Sequence, residues 1–122
     1  MARHTAQHLQ RGHSAEKRAS GYLRKHGLKL LERNFRTPFG EIDLVMQHKE
    51  TVIFIEVRFR RSENFGSPAE TIDSRKQARL RASAEYYIQN NQHAADRPCR
   101  FDVVAISGEV NDKNLLWLKN AF

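Results

Sequence analysis

Four carboxylates in this chain have the types and spacing to hold a divalent cation. Glu41 and Asp43 are separated by one residue, Glu56 follows after a short turn, and Glu16 stands well upstream. Residues 40–61 read as two strands joined by a tight polar turn, because apolar and polar positions alternate through both halves. Ile42, Leu44 and Met46 point one way, and Glu41, Asp43 and Val45 the other. Ile53, Ile55, Val57 and Phe59 then oppose Val52, Phe54, Glu56 and Arg58. A turn centred on His48 and Lys49 pairs Gln47 with Glu50. It sets Glu41 opposite Glu56, with Asp43 on the adjacent diagonal roughly 7–8 Å away. Like charges facing each other across a ladder are destabilising. A bound cation relieves that repulsion, and clustered carboxylate oxygens suit Mg²⁺ or Mn²⁺. The plainer view is a solvated strand face. Val45, Val52 and Phe54 share the face with the acids, which an ordinary wet face does not explain.

These carboxylates need elements to position them. Residues 14–26 are expected as a helix with Ala15, Ala19, Tyr22, Leu23 and His26 on one stripe. Ser14 is its N-cap and Gly27 the residue that ends it. Glu16, in the first turn, either favours the helix dipole or delivers an acid to the sheet's acidic face. A first strand spans 28–35, and a turn over 37–40 precedes the hairpin. Ser67, Pro68, Ala69 and Glu70 form a capping box. Asp73 or Ser74 caps a longer helix reaching about Asn91, with Leu80, Ala84, Tyr87 and Ile88 inward. Residues 100–107 are expected as a buried strand in which Asp102 hydrogen-bonds or pairs with an arginine. A short strand follows over 115–118, with Trp117, Ala121 and Phe122 packing a terminal edge. Cys99 reads as a small packed residue. The expectation is one mixed α/β domain over 1–122, its first twelve residues a frayed or partly helical arm, with about five strands flanked by helices. The helix between strands three and four makes them parallel, through a right-handed crossover.

The chain has 21 Lys and Arg against 14 Asp and Glu, a formal charge of +7. That favours an anionic partner, with nucleic acid ahead of an acidic membrane surface. Arg60, Arg61, Arg75, Lys76 and Arg79 form either a phosphate-contacting ridge or a solubilising face. A single cysteine excludes an internal disulfide and any multi-cysteine zinc site. No apolar run approaches the roughly 20 residues of a membrane span, and no signal-peptide core opens the sequence. The expected location is the cytosol.

Several strings together resemble the YraN family of predicted endonucleases, related to archaeal Holliday junction resolvases. They are Arg11-Gly12, Ala15-Glu16, Gly40-Glu41-Ile42-Asp43-Leu44, Phe54-Ile55-Glu56-Val57-Arg58, Ser67-Pro68, Arg100-Phe101-Asp102-Val103-Val104 and Asn120-Ala121-Phe122. The resemblance covers nearly the whole chain. It implies the restriction-endonuclease-like fold of the PD-(D/E)XK nuclease superfamily, with a central mixed β-sheet. Carried over by motif, Asp43 and Glu56 are the two metal-binding acids, Glu16 matches the helical acid of the resolvases, and Glu41 is a further family acid. Arg58 stands where the superfamily has lysine; it cannot act as a base, but its fork of donors suits a phosphate. The implied activity is Mg²⁺- or Mn²⁺-dependent hydrolysis of phosphodiester bonds in DNA, including branched or junction DNA. Asp43, Glu56, Arg58 and Glu16 are the implied catalytic residues, and Asp43, Glu56 and Glu41 the metal ligands. Resolvases of this fold act as symmetric dimers, which by analogy points to a homodimer. The substitution at Arg58 keeps a second reading in view, a non-catalytic nucleic-acid-binding module on a nuclease fold. A third class, an adaptor that docks its basic face on an acidic protein, fits the charge balance alone.

Overall fold

The computed structural model describes residues 2–60, 72–107 and 114–122, with side chains from Ser14 onward except that of Arg60. Arg61 and the expected capping box over 67–70 lie outside the described residues. Helix α1 (Ala2–Lys25) leads into strands β1 (Lys29–Thr37), β2 (Gly40–His48) and β3 (Thr51–Arg60). Helix α2 (Ser74–Asn90) crosses over to β4 (Cys99–Ser107), and β5 (Leu115–Leu118) completes one sheet of order β1-β2-β3-β4-β5. Three neighbour pairs are antiparallel and β3–β4 is parallel, as the intervening helix requires. A five-stranded mixed sheet between helices is the restriction-endonuclease-like α/β fold.

The sheet is buried on both faces. Ala15, Ala19 and Leu23 of α1 pack on Leu44, Met46, Ile53, Ile55, Val104 and Ile106. Leu80, Ala84 and Tyr87 of α2 pack on Ile42, Val45, Val52, Phe54, Phe101 and Val103. Each fully buried aliphatic side chain contributes about 1.5–3 kcal/mol by leaving water. The apolar positions of the hairpin therefore serve two cores, one under each helix.

Helix α1 ends where glycine permits a left-handed residue. Gly27 has φ 93°. Its N–H reaches Arg24 O at 3.1 Å, and Leu28 N reaches Leu23 O at 3.1 Å, the paired bonds of a Schellman cap. His26 lies beyond the helix, its Nδ1 2.9 Å from Tyr22 O. Asp73 caps α2, its Oδ1 accepting from Lys76 N at 2.8 Å.

Asp102 is fully buried. Arg100 Nε donates to it at 3.0 Å, Trp117 Nε1 at 2.9 Å and Asn120 N at 2.9 Å. This carboxylate ties β4 to β5 and to the segment after it. Phe122 stacks on Phe101, and Arg81 lies over both rings. Cys99, expected to be packed, is exposed at the start of β4. Among the described residues, no helix is long and apolar enough to cross a membrane.

Candidate metal centre

The hairpin register differs from the expected one. His48 pairs with Thr51, Gln47 with Val52 and Leu44 with Ile55, so the turn is Lys49–Glu50. Lys49 takes a positive φ of 54° within it. Continued one rung, this register sets Asp43, not Glu41, across from Glu56.

The ladder stops at Leu44 and Ile55, and β2 parts from β3 there. Beyond that rung the Asp43 side chain replaces a backbone partner: its Oδ2 accepts from Val57 N at 2.8 Å. On the other side of β2, between the rungs Arg33–Leu44 and Phe35–Ile42, Asn34 has φ 50°. Asparagine tolerates that left-handed conformation. Ile42 and Leu44 belong to opposite cores, which regular alternation would forbid. The strand thus turns over at Asp43 and aims its carboxylate into the split between strands.

Around that split, Glu16, Glu41 and Asp43 each place a carboxylate oxygen within 4.8 Å of the others. Glu16 comes from α1, and the other two from β2. Burial is the chief force pushing the Asp43 pKa up to about 8, helped by the charge on Glu56 and then on Glu16. The Val57 hydrogen bond and the Lys76 charge oppose the rise without cancelling it. Three hard oxygen donors, one of them a carboxyl that resists ionising, are a donor set a divalent cation fits.

Glu56 faces α2. It is only 7% exposed, and its Oε1 lies 2.6 Å from Lys76 Nζ. A cleft of about 330 Å³ opens here, lined by Gly40, Glu41, Asp43, Glu56, Lys76, Arg79, Leu80 and Ser83. The four α2 residues follow helical spacing, so one face of the helix forms the wall. At the rim, Thr37 Oγ1 accepts from Phe39 N and Gly40 N at 3.0 and 3.1 Å and lies 2.9 Å from Ser83 Oγ. That cluster fixes the β1–β2 turn to α2.

Asp43, Glu41 and Glu16 converge, while Glu56, expected among the metal ligands, borders the same cleft but is engaged by Lys76. Arg58 follows Glu56 by two residues along β3 and is not among the cleft's lining residues. Arg75 is exposed on α2. Lys76 and Arg79, expected on a phosphate-contacting ridge or a solubilising face, both line the cleft. The side chains of Arg60 and Arg61 lie outside the described residues. Ser83 was not anticipated; its spacing from Lys76, Arg79 and Leu80 on a helix face is the signal that finds it.

A model of a family described as Uncharacterised protein family UPF0102 matches residues 15–106. A UPF0102 protein of Nitrosococcus oceani is 46% identical over 96% of this chain and 94% of its own length. One of Shewanella loihica is 48% identical over 97% of this chain and 98% of its own. One of Pseudomonas entomophila is 49% identical over 91% of each.

Proposed function

The chain belongs to the uncharacterised protein family UPF0102, and from that premise and the acidic cleft we propose that it is a metal-dependent endonuclease hydrolysing phosphodiester bonds of nucleic acid, DNA foremost. The convergence of three carboxylate oxygens within 4.8 Å carries the reading. The restriction-endonuclease-like fold and the +7 charge support it.

Glu16, Glu41 and Asp43 would hold Mg²⁺ or Mn²⁺. Bound there, the ion supplies charge neutralisation at the scissile phosphate and acidifies water. The protein's own contribution is preorganisation. The Val57 N–H fixes Asp43 Oδ2, leaving the other carboxylate oxygen for the ion. Arg79 presents a guanidinium on the cleft wall to a backbone phosphate. In the reaction a water oxygen bonds to phosphorus and its proton passes to solvent. The bond from phosphorus to the departing sugar oxygen breaks, and that oxygen keeps the electron pair and takes a proton.

The test is cleavage of branched, flapped and linear DNA, and of RNA, by the full chain with Mg²⁺ or Mn²⁺. Cleavage by wild type that is lost in Asp43→Asn supports the proposal. Equal cleavage by both proteins removes it. Arg58, in the place of the superfamily's lysine, favours a second reading, a non-catalytic binding module. Salt-sensitive binding that survives chelation, without cleavage, would establish that reading instead.

A further inference from the structure

Resting on the hydrolytic reading above, we infer that Lys76 is the catalytic cation at the scissile phosphate, and that Glu56 is its anchor rather than a ligand of the divalent ion.

The three carboxylates that come together do so without Glu56. Glu56 instead meets Lys76 Nζ at 2.6 Å. The two side chains are not equally open: Lys76 is 30% exposed and Glu56 7%. Of the two, Lys76 is the more accessible to an anion. An ammonium carries three donors, so the Glu56 contact does not exhaust it. For Glu56 to turn to a metal it would have to give up its contact with the half-buried Lys76 ammonium.

The backbone beneath Lys76 is fixed as well. Asp73 Oδ1 takes the Lys76 N–H at 2.8 Å, and Asp73 O takes Gln77 N at 2.9 Å. The first turn of α2 is thereby pinned where it meets the sheet. Lys76 is also the cation that acts on Asp43 against the surrounding acids. Arg58, the residue its strand position would nominate, is not on the cleft wall. The cations that line the cleft, Lys76 and Arg79, therefore come from the crossover helix and not from β3. During hydrolysis Lys76 keeps its proton and donates an N–H to a non-bridging phosphate oxygen as negative charge accumulates there.

The experiment compares wild type, Asp43→Asn, Glu56→Gln, Lys76→Met and the double variant Glu56→Gln, Lys76→Met as full chains. Mn²⁺ binding is followed by electron paramagnetic resonance and cleavage by kcat and KM. Glu56→Gln and Lys76→Met should keep Mn²⁺ affinity within about threefold, while Asp43→Asn loses about tenfold or more. Lys76→Met should lower kcat about 100-fold or more with little change in KM. The double variant should be no worse than Lys76→Met, because the anchor acts only through the lysine. Lys76→Gln, which still donates to Glu56 without the charge, carries the same test if Lys76→Met does not fold. Loss of Mn²⁺ by Glu56→Gln to the extent seen for Asp43→Asn would overturn the inference. So would a kcat for the Lys76 variants near that of wild type. A wild-type chain that neither binds Mn²⁺ nor cleaves would remove the hydrolytic reading and this inference with it. Wild-type cleavage indifferent to Lys76 removes the inference alone.

Discussion

Asp43 and Val57 are joined by a hydrogen bond that no strand ladder makes: the Asp43 carboxylate accepts the Val57 N–H at 2.8 Å, just past the last paired rung of β2 and β3. One oxygen of a site carboxylate is therefore also structural. Asp43→Ala should destabilise the fold by about 1–3 kcal/mol, because it leaves that N–H without its partner. Asp43→Asn keeps an acceptor and should be the more stable of the two, although both lose metal binding. Urea denaturation of the pair in chelator measures the difference.

The raised Asp43 pKa makes stability depend on pH. In the unfolded chain this carboxyl ionises near 3.8, and in the folded chain near 8. Between those values the folded state binds the extra proton, so this group's contribution falls as pH rises from about 4 to about 8 and is flat above. Metal-free wild type should lose melting temperature relative to Asp43→Asn across that window. Metal must displace the same proton. Mn²⁺ affinity should therefore climb about tenfold per pH unit up to about pH 8, with proton release visible by calorimetry in two buffers.

Asp102 is a stability residue, not a member of the cleft. Removing it as Asp102→Ala strands Arg100, the Trp117 indole and the Asn120 N–H at once. A loss of about 3–5 kcal/mol is expected. The variant should still bind Mn²⁺ with wild-type affinity when assayed well below its melting temperature.

Arg75 and Arg79 are exposed on α2, where the proposed function would have them contact backbone phosphates. Arg75→Ala and Arg79→Ala should each lower the slope of log affinity against log salt by about 1, and weaken all sequences alike. Fluorescence anisotropy in chelator, over a salt series and with two unrelated oligonucleotides, would expose any base preference.

The strands and most helix ends were legible because alternation and capping are local, but α1 begins at Ala2, so Ser14 lies within the helix and is not its N-cap. Asp73 and Gly27 sit where their chemistry puts them. The hairpin register was not legible. A turn at His48–Lys49 and one at Lys49–Glu50 differ by two in the pairing, and such a slip leaves every side chain on its own face. Alternation cannot distinguish the two, yet the slip exchanges Glu41 for Asp43 across from Glu56. The turnover of β2 between Ile42 and Leu44 was equally hidden; it lies beside Asn34 of the neighbouring strand, whose positive φ alternation does not reveal. Glu16 was anticipated as an acid delivered from a helix, and α1 brings it to the cluster. The Lys76–Glu56 contact joins residues 20 apart in sequence through the crossover, and no local pattern records it.

The split between β2 and β3 receives an acid from one layer and a cation from the other. A chain with α1 undocked lacks Glu16, and one with α2 undocked leaves Glu56 without its ammonium. Neither half-assembled form presents the full constellation. On the proposed function, chemical competence and completed folding would thus become a single event, and a stalled or damaged copy would be inert.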